Sequence, residues 1–153
     1  MKFRKAKENE INVVLEMCEK IKETYPFWDS EYPVYDNFYE SFEEGGLYVL
    51  EVNNEIVGSI CLEIGISSEE HLSLSRFMVK PSERKKGYGK YIFESVEKEV
   101  LRKGYHKVDF LVHKDHPFAF KMYESFGYTD KGPYKTEWDG DVPTYHLLTK
   151  DLK

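Results

Sequence analysis

LSLSRFMVKPSERKKGYGKY, residues 72–91, is the stretch whose reading decides the fold. Apolar side chains alternate at Leu72 and Leu74, then at Phe77 and Val79. The first pair falls on even positions and the second on odd ones. A strand repeats every two residues, so this slip of phase predicts one extra residue near Ser75 and Arg76, a β-bulge. Beyond Pro81, the segment Arg84-Lys85-Lys86-Gly87-Tyr88-Gly89-Lys90 leads into helical spacing at Ile92, Phe93, Val96 and Val100. Glycines at a helix N-terminus let backbone N–H groups approach an anion, and the helix dipole and flanking cations add to the attraction. A bulged strand, a basic glycine loop and a helix therefore predict a phosphate site beside a splayed strand. The loop is neither GxxxxGK[ST] nor GxGxxG, which argues against a P-loop and against a dinucleotide fold.

The whole chain is consistent with that unit being the organising centre. Its 153 residues suit one domain with a real core, and 41% hydrophobic with 16% aromatic content argues against disorder. The net charge of −6, from 22 basic and 28 acidic residues, disfavours nucleic acid as a partner and is compatible with a cationic substrate. Against it, the cations at 84–86 and at Lys90 stand out. Cys18 and Cys61 lie in apolar patterns and are expected as buried free thiols. No apolar leader opens the chain and no apolar run reaches membrane-spanning length, so a soluble, cytoplasmic protein without a membrane partner is expected.

Taken in order, a short strand at residues 3–6 precedes Ile11, Val14, Leu15, Cys18 and Ile21, spaced as one helix face with Asn9 as its cap. A proline-broken aromatic stretch follows, then a second helix at 34–43. Residues 47–52 and 56–64 read as a hairpin turning at Asn53-Asn54. The third helix closes at Arg102-Lys103-Gly104, where cations and glycine favour a C-terminus. Val108, Phe110, Leu111 and Val112 make a buried fifth strand. His116-Pro117 opens a short fourth helix at 118–126, with Pro at its first position. Two last strands, near 128–134 and 144–152, join across Trp138-Asp139-Gly140-Asp141. The order β-α-α-β-β-β-α-β-α-β-β predicts an α/β domain spanning 1–153, with a mixed, mostly antiparallel sheet and about four helices. A right-handed crossover makes the fourth and fifth strands parallel, and the bulge splays them. The last strand, taken as exposed, offers an edge for a homodimer.

Two motifs resemble those of the GNAT superfamily of acyl-CoA-dependent N-acyltransferases, and the element order agrees over nearly the whole chain. Arg84-x-x-Gly87-x-Gly89 matches the family's pyrophosphate loop, at the right distance from Phe77-Met78-Val79. Ala119-x-x-x-Tyr123-x-x-x-Gly127-Tyr128 matches the second motif, after the fifth strand. The resemblance implies acetyl-CoA as cofactor, released as CoA. Backbone groups of Phe77 and Val79 would pair with the pantetheine arm, with Met78 between them. N–H groups from Arg84, Lys85, Lys86, Gly87, Tyr88, Gly89 and Lys90 would cradle the pyrophosphate. Tyr123, of ordinary pKa about 10, would donate a proton to the leaving thiolate. His116 stands where the family usually has Asn, three residues before Ala119. Ser73 stands where many members carry a catalytic Glu, which leaves Glu63 on the neighbouring strand, or His71, to remove the amine's proton. The pair His113 and His116 lacks a third metal ligand.

For the acceptor, Trp28, Asp29, Tyr32 and Tyr35, with Glu31 and Asp36, form an aromatic and acidic wall, although several of these aromatics are expected in the core. A small cationic amine or a peptide amine is the expected partner. The alternative is a non-catalytic CoA-binding or regulatory module on the same fold.

Overall fold

The computed structural model describes every residue except Pro117 and Asp141, so the expectations resting on those two lie outside the described residues. Among the described residues seven strands and four α-helices follow one another in the anticipated order. Packing divides them into two compact units, Met1–Glu63 with Leu74–Val96, and Ile64–Ser73 with Glu97–Lys153.

The first unit opens with β1 (Lys2–Lys5) and α1 (Ile11–Lys22), joined by a 3-10 turn over Glu8–Glu10. Asn9 is not the cap: it lies inside that turn, and the Glu10 carboxylate accepts the Lys7 N–H at 2.8 Å instead. Arg4 holds the same carboxylate at 2.7 Å and Glu51 at 2.8 Å. These hydrogen bonds lower the Glu10 pKa to about 2. α1 buries Ile11, Val14, Met17, Cys18 and Ile21, the spacing of one helix face. They pack with Phe38 of α2 (Tyr35–Glu43) and with Leu47, Val49, Cys61 and Met78 from the strands. β2 (Leu47–Val52) and β3 (Glu55–Ile64) form the antiparallel hairpin. Asn53 and Asn54 both have positive φ, as a tight hairpin turn requires.

β4 (Leu72–Val79) continues this sheet, in the order β1-β2-β3-β4. Arg76 sits within it at φ +47, a left-handed residue inside an extended strand and the backbone signature of the anticipated bulge. One detail differs from the sequence reading. Met78, not Phe77 or Val79, is the fully buried residue after the bulge. Phe77 turns instead to Phe93 of α3 (Tyr88–Arg102), edge-to-face at 4.9 Å.

In the second unit, Leu72 and Ser73 pair in parallel with Val108 and Asp109 of β5 (Lys107–His113). Antiparallel to β5 lies β7 (Tyr145–Asp151), which also pairs with β6 (Thr129–Tyr134). The last strand is therefore interior, paired on both sides, and β6 takes the edge. The expectation of an exposed final strand fails because the chain places β6 outside it and returns β7 between β6 and β5. α4 (Ala119–Ser125) buries Ala119. The sheet is thus mixed and mostly antiparallel with one parallel pair, an α/β fold. Among the described residues no helix is long and apolar enough to cross a membrane.

Candidate active site

The basic loop lies at the start of α3. Lys85 has φ +66 and Gly87 φ +83, so the chain passes twice through the left-handed region. Such turns direct consecutive N–H groups toward one side. Nothing lies within 4 Å of a Cβ built on Gly87, so glycine there serves conformation rather than packing. The first N–H groups of α3 have no intrahelical acceptors, and the helix continues for 15 residues behind them. Arg84 and Lys85 are exposed or nearly so, and among the described residues neither forms an ion pair. Lys86 is committed to Glu83 at 2.6 Å and Lys90 lies 4.0 Å from Glu94. Gly89 serves packing instead, because a Cβ there would meet the Phe77 ring at 3.1 Å. Positive-φ residues at the start of a long helix, with two exposed cations beside them, are the features from which an anion-binding turn is built.

In the second unit, Tyr123 is half-buried on α4, its ring edge-to-face with Phe110 at 4.6 Å. Phe110 also meets Tyr128 at 4.9 Å. Tyr128 is buried and donates to Glu97 Oε2 at 2.7 Å, while Lys150 holds Glu97 Oε1 at 2.8 Å. Burial beside that carboxylate pushes the Tyr128 hydroxyl's pKa up. Tyr128 thus anchors the turn after α4 and fixes the helix that carries Tyr123. His116 donates its backbone N–H to the His113 carbonyl at 3.0 Å.

Ser73 is fully buried. Its hydroxyl donates to Asp109 and accepts the Ile66 N–H at 2.7 Å. Asp109, also fully buried, receives Ser67 Oγ as well, and His71 Nδ1 lies 3.5 Å from it. Ser73 therefore ties the loop before β4 to β5 and supplies no base. The sequence reading missed this cluster. A signal was present, because Asp109 interrupts the apolar run Val108, Phe110, Leu111 and Val112. Glu63, near the end of β3, is half-buried.

The proposed acceptor wall separates into two roles. Trp28 packs on the core and edge-to-face against Tyr25 at 5.0 Å. Asp29 spends its Oδ1 on a turn, accepting the N–H groups of Glu31 and Tyr32 at 2.8 and 3.1 Å. Tyr32 and Tyr35 remain exposed, at 41% and 38%.

Comparison with known proteins agrees with the geometry. The profile of the acetyltransferase (GNAT) family matches residues 14–128, and the chain belongs to that family. Acetyl transfer from acetyl-CoA is the family's reaction. No curated protein matches the sequence itself, but solved structures match the fold. A ribosomal-protein-alanine N-acetyltransferase from Brucella melitensis superposes with a TM-score of 0.79 at 17% identity, covering 99% of this chain and 100% of that one. YncA from Salmonella typhimurium, solved with its cofactor acetyl-CoA, gives 0.78 at 18% identity, covering 100% and 94%. Ard1 from Thermoplasma volcanium gives 0.78 at 15%, covering 99% and 97%.

Proposed function

We propose that this protein is an N-acetyltransferase acting over the whole of residues 1–153, moving an acetyl group from acetyl-CoA to a primary amine by direct attack. The observation that carries the reading is the open left-handed loop through Lys85 and Gly87 at the N-terminus of α3. Acetyl-CoA brings the activated thioester. The chain's own residues do the rest. N–H groups of residues 84–90 hold the diphosphate, with the side chains of Arg84 and Lys85 beside it. Backbone groups of Phe77 and Val79 extend the strand onto the pantetheine amides, a pairing main-chain groups make without regard to side chain. An ammonium has no lone pair, so a base must first take its proton. Glu63 fills that role, because Ser73 is spent on Asp109 and His71 is drawn into the same cluster. Tyr123 returns a proton to the departing sulfur.

Incubation with acetyl-CoA and a panel of amines, following free thiol, tests the reading. The expected result is thiol release that depends on the amine and is lowered by Glu63→Gln. Absence of acetyl-CoA binding would sink it. Binding and thermal stabilisation by CoA without turnover, unchanged by Tyr123→Phe, would instead mark a non-catalytic CoA-binding module.

A further inference from the structure

Arg76 occupies the bulge of β4 and is an unneutralised cation. Its Nη1 donates to the Tyr32 hydroxyl at 3.0 Å and its Nη2 to Ser41 Oγ at 2.7 Å. The guanidinium carbon lies 5.8 Å from the Phe38 ring centroid. Its Nε and the neighbouring Ser75 Oγ are buried without a partner. Among the described residues no carboxylate forms an ion pair with it, whereas Arg4 has two, Glu10 and Glu51. Cys61 stands close by, but burial pushes its thiol up and keeps it neutral. A guanidinium withdrawn from water among hydroxyls, a thiol and a ring is costly, and the cost falls when an oxyanion joins it.

The surroundings show from which side that anion comes. Ser41 and Phe38 are buried at 5% and 0%, while Tyr32 is 41% exposed. The Nη1 edge therefore faces outward beside the phenol. The Tyr32 oxygen accepts from Arg76, which leaves its own proton free to donate. A guanidinium edge and one hydroxyl make a compact receptor for a carboxylate-like group. On β3, Glu63 shares the strand face of Cys61 by the two-residue period, and Cys61 has Arg76, Ser41 and Glu63 among its charged and polar surroundings. Glu63 thus lies on the face of β3 that carries the thiol next to Arg76, without pairing with the guanidinium.

We propose that Arg76 and Tyr32 bind an oxyanion on the acceptor, so that the acceptor is a small zwitterion, a primary amine bearing a carboxylate, with its amine toward Glu63. This rests on the acetyltransferase reading and narrows its substrate class: a plain cationic amine leaves Arg76 unanswered.

Two measurements test it. In the first, CoA-saturated protein, whose basic loop is already engaged, is titrated with acetate and with methylphosphonate while the melting temperature is followed. The wild type is stabilised, Tyr32→Phe responds several-fold more weakly, and Arg76→Gln does not respond. An anion response that survives Arg76→Gln, or none in the wild type, overturns the assignment. In the second, acetylation of phenylalanine is compared with phenethylamine, and of lysine with cadaverine. Preference for the carboxylate-bearing partner is expected at about 10- to 100-fold in kcat/KM. Arg76→Gln abolishes it without changing the acetyl-CoA dissociation constant. Equal or better use of the decarboxylated amines refutes the proposal. A protein that binds no CoA at all strikes at the acetyltransferase reading instead, and the difference between wild type and Arg76→Gln in anion response still judges the Arg76 receptor.

Discussion

Replacing Gly87 by alanine separates backbone conformation from packing at the cofactor loop. Gly87 has φ +83, and no heavy atom lies within 4 Å of the Cβ that alanine adds. The substitution creates no clash, and its whole effect is the left-handed strain of an L-residue, about 1–2 kcal/mol. An exposed position with nothing near its Cβ relaxes by leaving that conformation rather than by unfolding the protein. The strain is then recovered only when the ligand forces the loop back, and it appears as lost affinity. About 1–2 kcal/mol corresponds to a dissociation constant weakened about 5- to 30-fold. Gly104 is the matched control. It has φ +90 and equally empty surroundings, but it closes the C-terminus of α3, where its N–H bonds the Leu101 carbonyl at 2.9 Å. Gly104→Ala carries the same strain and is expected to lower the melting temperature while leaving acetyl-CoA affinity alone. Titration calorimetry with acetyl-CoA and thermal melts on both variants decide the matter. If the two variants show the same acetyl-CoA affinity, the loop is not where the diphosphate binds.

Tyr123→Phe keeps the ring contact with Phe110 and removes only the hydroxyl. Turnover should fall about 10²- to 10⁴-fold with acetyl-CoA affinity little changed, as steady-state kinetics and calorimetry would show. Glu10 has its folded pKa lowered to about 2 from an ordinary 4.5 by Arg4. Its contribution is therefore complete above the unfolded value and is lost as pH falls from about 4.5 toward 2. Glu10→Gln should destabilise by on the order of 1 kcal/mol at neutral pH, after solvent screening. In denaturant titrations that gap should close over this acid window, and a gap that is flat with pH would exclude the mechanism.

Much of the fold was legible because elements declare themselves locally. The face of α1 from Ile11 to Ile21 and the Asn53-Asn54 turn are both properties of neighbouring residues. The glycine loop was legible for the same reason. The parallel pairing of β4 with β5 followed from the crossover rule, but long-range side-chain pairings had no such rule. Ser73 and Asp109 are 36 residues apart and Ser67 and Asp109 are 42 apart. No periodicity announces that a serine will spend its hydroxyl on a distant carboxylate. The interior place of β7 likewise depends on which strand the chain returns to, which the alternation of Leu147, Leu148 and their neighbours does not encode. Nor does the sequence announce that Asp29 Oδ1 serves a turn, accepting the N–H groups of Glu31 and Tyr32.

The serine at position 73 is better understood from its neighbour than from the reaction. Ser73 and Asp109 are both fully buried and in direct hydrogen-bond contact. A carboxylate at 73 would face another with both fully buried, and one of the two would have to keep a proton. The pair would then titrate together, with a folded-state pKa raised above the unfolded carboxylate range. Ser73→Glu should therefore gain no activity. It should be destabilised at neutral pH, and the penalty should diminish as pH falls and both carboxyls protonate in the folded and unfolded states alike. A variant that turned over faster, or whose destabilisation did not change with pH, would show that position 73 is open to the reaction after all. The buried Asp109 thus bars a second carboxylate from position 73. The proposed mechanism accordingly assigns proton removal to a different strand, to Glu63 on β3.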